Sequence, residues 1–324
     1  MIRKCSAAAF AIALLSATAA AQTPGWKPEK NVEIVVGLTP GSSQDRTGRA
    51  LQKIWQDKNM LGVSSTVVNR VGGGGTIAWN YLAQHAGDGH YVQIASPTIL
   101  TNRMISPAAH DFRDFTPLAL LGRQYLVIAT RVDGPVKSGR ELMERLKRDP
   151  GSLSFGVNSA GSNLHMFVAA LAQAAGVDPK KVKVVVFQGA ELMTAALGGH
   201  VDVISTVTSN VLPHVLSGKL RIVGIGSPRR LAGALAAVPT WKEQGVDVLA
   251  SNWASVVGAK GLSAAQVAYW DRLLAATVAT DEWKADLARN LWEPDYLTSA
   301  ETMAFFQSED AKLRSAMTSL GLAK

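Results

Sequence analysis

Val32-Glu33-Ile34-Val35-Val36-Gly37-Leu38-Thr39-Pro40-Gly41-Ser42-Ser43-Gln44-Asp45 is the stretch that decides the fold, with Arg46 to Ile54 behind it. A short β-branched run is cut by Pro-Gly and small hydroxyl residues, then passes into a helical pattern. The spacing predicts a strand over 33–37 and a helix over 45–56. Such a junction gathers unpaired backbone N–H groups and hydroxyls at a helix N-terminus, which is a site for an anion. Thr39, Pro40, Gly41, Ser42, Ser43 and Asp45 are therefore candidate ligand contacts, Asp45 reading more as a helix-start residue than as a catalyst. No side chain in the loop is an evident catalyst, so the loop reads as holding a carboxylate or similar group.

Upstream, Arg3 and Lys4 form a basic region, Ala7 to Leu15 an apolar core and Ala19-Ala20-Ala21 a small-residue cleavage site. Residues 1–21 are expected to be a signal peptide, cleaved near Ala21, and the mature chain to be periplasmic. The only cysteine, Cys5, precedes the apolar core, so lipidation, disulfides, thiolate catalysis and Cys-ligated metals are not expected. The formal charge is +8. Its cations are scattered, with only short pairs such as Lys180-Lys181 and Arg229-Arg230, and without the concentrated basic, aromatic-lined stripe of a nucleic-acid binder. No nucleic-acid partner is expected.

Short apolar runs alternate with amphipathic stretches along the whole chain. Strands are expected at 33–37, 65–69, 91–95, 125–130, 154–156, 182–187, 201–205, 220–225 and 252–258. Helices are expected at 45–56, 76–86, 139–148, 162–174, 190–197, 211–216, 238–244, 264–278, 281–290 and 300–320. This alternation predicts an α/β architecture with mainly parallel sheets. Two strand-like segments, 115–130 and 246–259, bracket a block of domain size. The expected arrangement is one discontinuous lobe of 22–122 plus 247–324 and a second lobe of 123–246; a single doubly wound domain is the alternative. Trp270, Trp283, Leu287 and Phe305 place the C-terminal helices as a wall on the first lobe, and Trp253, Tyr125 and Trp79 read as core ahead of ligand lining.

Two further strand-to-helix junctions carry the same chemistry. In Asn69-Arg70-Val71-Gly72-Gly73-Gly74-Gly75-Thr76 the glycines formally fit a dinucleotide fingerprint, but no acidic residue ends the following strand, which runs into Ser96-Pro97-Thr98. Two readings of the glycines remain: close backbone approach to a ligand, or the demands of the turn. Gly74, Gly75, Thr76 and Ser96 are candidate contacts. In Phe155-Gly156-Val157-Asn158-Ser159-Ala160-Gly161-Ser162-Asn163-Leu164-His165, the candidates are Asn158, Ser159, Gly161, Ser162 as N-cap, and His165. A serine-hydrolase elbow would need glycine at Val157, so that motif is broken. Gln188, Gly189 and Thr206 lie at two more strand ends, and Asp202, early in its strand, reads as structural. The histidines lack ligand spacing, so neither a metal nor a cofactor is expected.

Taken in order, these segments resemble the tripartite tricarboxylate transporter substrate-binding receptors, the Bug family of periplasmic solute-binding proteins. The matching pieces are Pro40 to Asp45, Asn69 to Ile77, Ala86-Gly87-Asp88-Gly89-His90, Phe115 to Leu121, Gly156 to His165, Ala196 to Asp202, Ser217 to Arg221 and Val238 to Gly245, which span essentially the whole mature chain. The resemblance implies a two-lobed type II periplasmic-binding-protein fold, lobes joined by two crossover strands, closing on a small carboxylate. It implies carboxylate capture by backbone amides, hydroxyls and waters from the loops at 39–45 and 159–162, with few salt bridges. The chain departs from the family pattern at Ser42 (usually glycine), at Val68 and Val71 (usually Glu and Pro), and at Thr206 (commonly acidic). Losing that acid argues for a ligand without an ammonium group. The implied role is a non-enzymatic, monomeric receptor serving a tripartite membrane permease; the alternatives are a ligand sensor signalling to a membrane kinase and a secreted serine hydrolase.

Overall fold

The computed structural model describes residues 25–106, 108–187 and 191–321. The expected signal peptide, Gln188 and Gly189 lie outside the described residues.

The first lobe opens with β1 (Val32–Val36), α1 (Ser43–Asp57), β2 (Ser65–Asn69), α2 (Thr76–Ala83), β3 (Tyr91–Ala95) and α3 (Thr98–Ile105). Then comes β4 (Thr116–Arg131), a 16-residue strand about 53 Å long at 3.3 Å per residue. The second lobe continues with α4 (Gly139–Arg148), β5 (Ser154–Val157), α5 (Asn163–Ala174), β6 (Lys183–Val186), α6 (Glu191–Gly198), β7 (Val203–Val207), α7 (Thr208–Leu216) and β8 (Leu220–Ile225). The chain returns through β9 (Ser251–Gly258) and ends in α8 (Ala264–Val278), α9 (Asp281–Arg289) and α10 (Ser299–Ser319).

The strand order is β2-β1-β3-β9-β4-β7-β5-β6, with β8 also on β4. β4 serves both halves. Its first part, from Thr116 to Tyr125, pairs with β9, and its last part, from Leu126 to Arg131, pairs with β7 and β8. The cores follow the same division. Val32, Ile34, Trp55, Leu121 and Trp270 share one cluster, and Leu126, Phe155, Phe167, Val203 and Trp241 share another.

Three expectations need correction. The pairing is not mainly parallel: β1–β2, β1–β3, β5–β6 and β5–β7 are parallel, but every pair that includes β4 or β9 is antiparallel. A strand that crosses between lobes and one that returns must run in opposite senses. The helix expected over 238–244 is a bridge from Thr240 to Ile225 followed by a 3₁₀ turn, Lys242–Gln244. Trp241, fully buried, packs so tightly on Gly224 that a Cβ there would lie 2.5 Å from the indole, and this tertiary contact overrides the helical pattern. Conversely, α3 was not anticipated. It starts at Pro97 and buries Ile99, Leu100 and Met104, a pattern too short to separate from a loop.

The C-terminal wall also reaches further than expected. Trp270, Trp283 and Leu287 do join the first lobe's core, and Phe306 packs against Trp253. The end of α10, however, reaches the second lobe, where Met317 clusters with Met166 of α5 and with Met104 of the first lobe's α3. Asp202 immediately precedes β7 and is structural, its Oδ2 accepting from the Ser154 N–H at 2.8 Å and the Ser154 hydroxyl at 2.7 Å.

Candidate functional site

The loop after β1 and the loop after β5 are built by one device. In the first lobe Gly41 takes a left-handed φ of 81°, Ser42 caps α1, and the Ser42 Oγ accepts from the Asp45 N–H at 3.3 Å. The Gly41 N–H in turn donates to Asp45 Oδ2 at 2.9 Å. In the second lobe Gly161 has φ 73°, Ser162 caps α5, and its Oγ accepts from the His165 N–H at 3.3 Å. The Gly161 N–H donates to His165 Nδ1 at 3.1 Å. Each loop is locked from within by the third helical residue. The N–H groups at the start of each helix have no intrahelical acceptor and carry the positive end of the dipole.

The two locks differ in charge. Asp45 is 2% exposed. Burial works against its ionisation, but bonds from Arg49 Nε (2.9 Å), the Gly41 N–H and Asn69 Nδ2 (2.9 Å) outweigh this and hold the carboxyl below the usual range. Asn69, at the end of β2, also donates to Leu38 O at 3.0 Å, so one side chain ties the loop to its neighbouring strand. His165 is half-buried, and burial lowers its imidazole below the ordinary value. Accepting from Gly161 requires Nδ1 to be unprotonated, which agrees with that direction.

Both helix starts meet over β9. Asn163, the first residue of α5, lies with its Nδ2 3.5 Å from Asn252 Oδ1. Asn252 borders a recess shared with Ser43, Gln44, Ser96, Trp253 and Trp292, whose void of about 10 Å³ is roughly the size of one water molecule. Gln44 Nε2 donates to Ser96 Oγ at 2.8 Å, closing one side of this floor.

The candidate residues distribute unevenly around it. Thr39, Pro40, Gly41, Asn158 and Ser159 are exposed on the two loops, with Ser42, Ser43 and Ser162 half-buried beneath them. Asp45 is a correction: its carboxylate is spent inside the loop, so it positions the donors instead of meeting a ligand. Gly74, Gly75 and Thr76 form a neighbouring turn whose four glycines, Gly72 to Gly75, all have positive φ. The turn itself demands them, although the Gly75 Cα would also lie 3.2 Å from a Cβ at Gly37. The Thr76 hydroxyl donates to Gly73 O at 2.7 Å, closing that turn. Thr206 is another correction: it lies inside β7 opposite Val127 and is 1% exposed, so it underlies the cleft without lining its open surface.

Gln44, Asn69, Asn163 and Asn252 were missed as site residues. The first three sit inside quoted junctions and carried an amide signal; Asn252, the second residue of β9 and outside every quoted junction, carried none. The hydrolase geometry is absent. Ser162 Oγ donates to Ser159 O at 2.8 Å, and the Nδ1 of His165 faces Gly161, so no serine hydroxyl is paired with that ring among the described residues. Those residues hold no group of three or more His, Cys, Asp and Glu able to take a metal.

Residues 50–322 match the model of the tripartite tricarboxylate transporter family receptor. The chain belongs to this family. As a tricarboxylate-transporter receptor it is a solute-binding protein and not an enzyme. It is 27% identical over 321 residues to the UPF0065 protein in the gbd 5' region of Cupriavidus necator, covering 98% of this chain and 96% of that one. It is 29% identical over 240 residues to Protein BugT of Bordetella pertussis, covering 72% of each. Its fold is similar to that of a TctC solute-binding protein from Polaromonas solved without ligand (TM-score 0.78, 24% identity, 90% of this chain and 99% of that one). It is also similar to an R. palustris protein solved with adipate (TM-score 0.77, 24% identity, 91% and 99%). MatC from Rhodopseudomonas palustris, solved with malate, gives a TM-score of 0.71 at 21% identity over 89% and 99%. The chain shares with these neighbours the mixed α/β periplasmic-binding-protein fold expected from the sequence.

Proposed function

We propose that this receptor is periplasmic and clamps a small organic carboxylate between the N-termini of α1 and α5, delivering it by lobe closure to a tripartite membrane permease. The observation that carries the reading is the repeated lock, Gly41-Ser42 with Asp45 and Gly161-Ser162 with His165, converging on Asn252. Preorganised N–H groups and hydroxyls stabilise an anion without desolvating a fixed countercharge. The loop after β1 is not purely neutral, however: Arg46 Nη1 donates to Gly41 O at 2.7 Å and adds positive potential behind it. Adipate and malate in two structural neighbours support a carboxylate ligand.

β4 and β9 act as the crossover strands, and the segment after α9 lies alongside β4 at the junction, with Arg123 and Glu293 exchanging backbone bonds of 3.0 and 2.7 Å. A thermal-shift screen of aliphatic di- and tricarboxylates, aromatic acids and amino acids tests the reading. A concentration-dependent rise in Tm with one or more carboxylates is expected, and stabilisation by none of them overturns it.

A further inference from the structure

Positive charge in this receptor is segregated. The stretch 123–246 holds 15 Lys and Arg against 8 Asp and Glu, whereas the rest of the chain after residue 21 holds 16 against 17. The surplus gathers at one end of the second lobe. β5, β6 and β7 all run toward the cleft, so their first residues mark the opposite pole, and β4, running the other way, ends there with Arg131 beside Leu220. Lys147 and Arg148 lie in the last turn of α4 just before β5, Lys180 and Lys181 in the turn before β6, Lys183 opens β6, and Lys219 precedes β8. All six are exposed and make no ion pair among the described residues. Of the exposed carboxylates beside them, Asp133 pairs with Arg131, Asp149 and Asp178 accept from the Gly151 and Lys180 N–H groups, and Glu144 sits one turn before Lys147, so the cations stay in excess.

Two bare aliphatic side chains sit among these cations. Leu216 at the end of α7 is 71% exposed, and Val132, whose N–H donates to Lys219 O at 3.2 Å, is 37% exposed. We propose that this pole is a docking surface for an anionic phospholipid bilayer. Long unpaired cations spread over separate segments suit a fluid plane of charge better than a fixed protein pattern, and Leu216 supplies a small apolar foot. The cleft lies at the other strand ends, so it stays open to solvent while the pole rests on lipid. Reversible attachment would keep an exported receptor in the layer where a membrane transporter works.

The test is flotation of the purified protein with phosphatidylcholine vesicles, with and without about a third phosphatidylglycerol, at low and high salt. Binding is expected only with phosphatidylglycerol and is lost at high salt. Each cation at such a surface strengthens binding roughly five-fold, so the triple variant K147E/R148E/K181E should bind at least about 100-fold more weakly. Leu216→Ser is expected to weaken it several-fold, and Lys27→Glu, on the other lobe, to change nothing. All should keep the Tm and the ligand-induced Tm rise of the parent. Equal binding to both vesicles, insensitivity to the triple variant, or capture by isolated permease segments without any vesicle binding overturns the proposal.

Discussion

Asp45 and His165 hold the same place in opposite lobes, each accepting the N–H of a left-handed glycine four residues before it while a serine cap accepts its own N–H. One lock is an anion tied to Arg49, and the other is a neutral imidazole. In the proposed clamp the ligand would therefore meet two geometrically similar jaws that respond differently to substitution and to acid.

Removing the charged lock should be costly. Asp45→Ala removes the acceptor shared by the Gly41 N–H, the Asn69 amide and Arg49; Arg49 is half exposed and Asn69 keeps Leu38 O, so the loss is about 1–3 kcal/mol. A fall in Tm is expected, with ligand affinity lowered more than ten-fold. Asn69→Ala should loosen the loop at smaller cost, lowering affinity with little change in Tm. Calorimetry and thermal melts on the pair check this; an Asn69→Ala protein with parental affinity would show that the tie to β2 does not set the loop.

The neutral lock sets an acid limit. Because the folded imidazole titrates below its ordinary 6.5, the unfolded chain takes up the proton first as pH falls. The stabilisation from His165 is full above 6.5 and is lost as pH drops through the lower folded value. Asp45 behaves likewise around the carboxylate range, below 3.8, so the second lobe's jaw fails first. Affinity for a carboxylate ionised throughout should hold down through 6.5 and fall only as pH drops through the lower folded value, where Nδ1 protonates. Titrations in which a His165→Gln variant shows the same acid step would assign that step elsewhere.

The contact between Asn163 and Asn252 should favour the closed arrangement. Asn252→Ala removes a cross-lobe partner without touching either loop, so a modest loss of affinity, about three- to ten-fold, is expected. X-ray scattering should show a larger ligand-free radius of gyration than in the parent, and unchanged scattering together with unchanged affinity would rule the contact out as a closure element.

Gly224→Ala tests the packing that replaced the anticipated helix. A Cβ there would meet Trp241 at 2.5 Å, and overpacking of this kind costs about 1–3 kcal/mol. A lower Tm with unaltered ligand preference is expected. If instead the variant melts like the parent, Trp241 can shift and the contact is not what holds the 238–244 segment out of a helix.

The two capped loops offer no free carboxylate to an ammonium group, since their one acid, Asp45, is tied inward, and this makes a prediction about ligand class. Calorimetry should find carboxylates without an ammonium group binding more tightly than amino acids of similar length. A screen in which only amino acids bind overturns it.

Local chemistry was legible wherever a junction is made by neighbours in sequence. Strands 65–69, 91–95 and 220–225 and helices 139–148 and 264–278 fall where hydrophobic period and caps put them. Ser42 and Ser162 cap their helices as glycine, serine and spacing require. The sequence by itself determined the alternating α/β order, the two capped loops and the family, because these depend on residues a few positions apart. Only the tertiary structure decided that Asp45 turns inward, that Thr206 is buried within β7 opposite Val127, that Asn252 joins the two helix starts, and that unpaired cations collect at one pole. Each of those depends on which distant strands lie side by side and in which direction. The long crossover strand β4, by pairing with both halves of the chain, sets that arrangement.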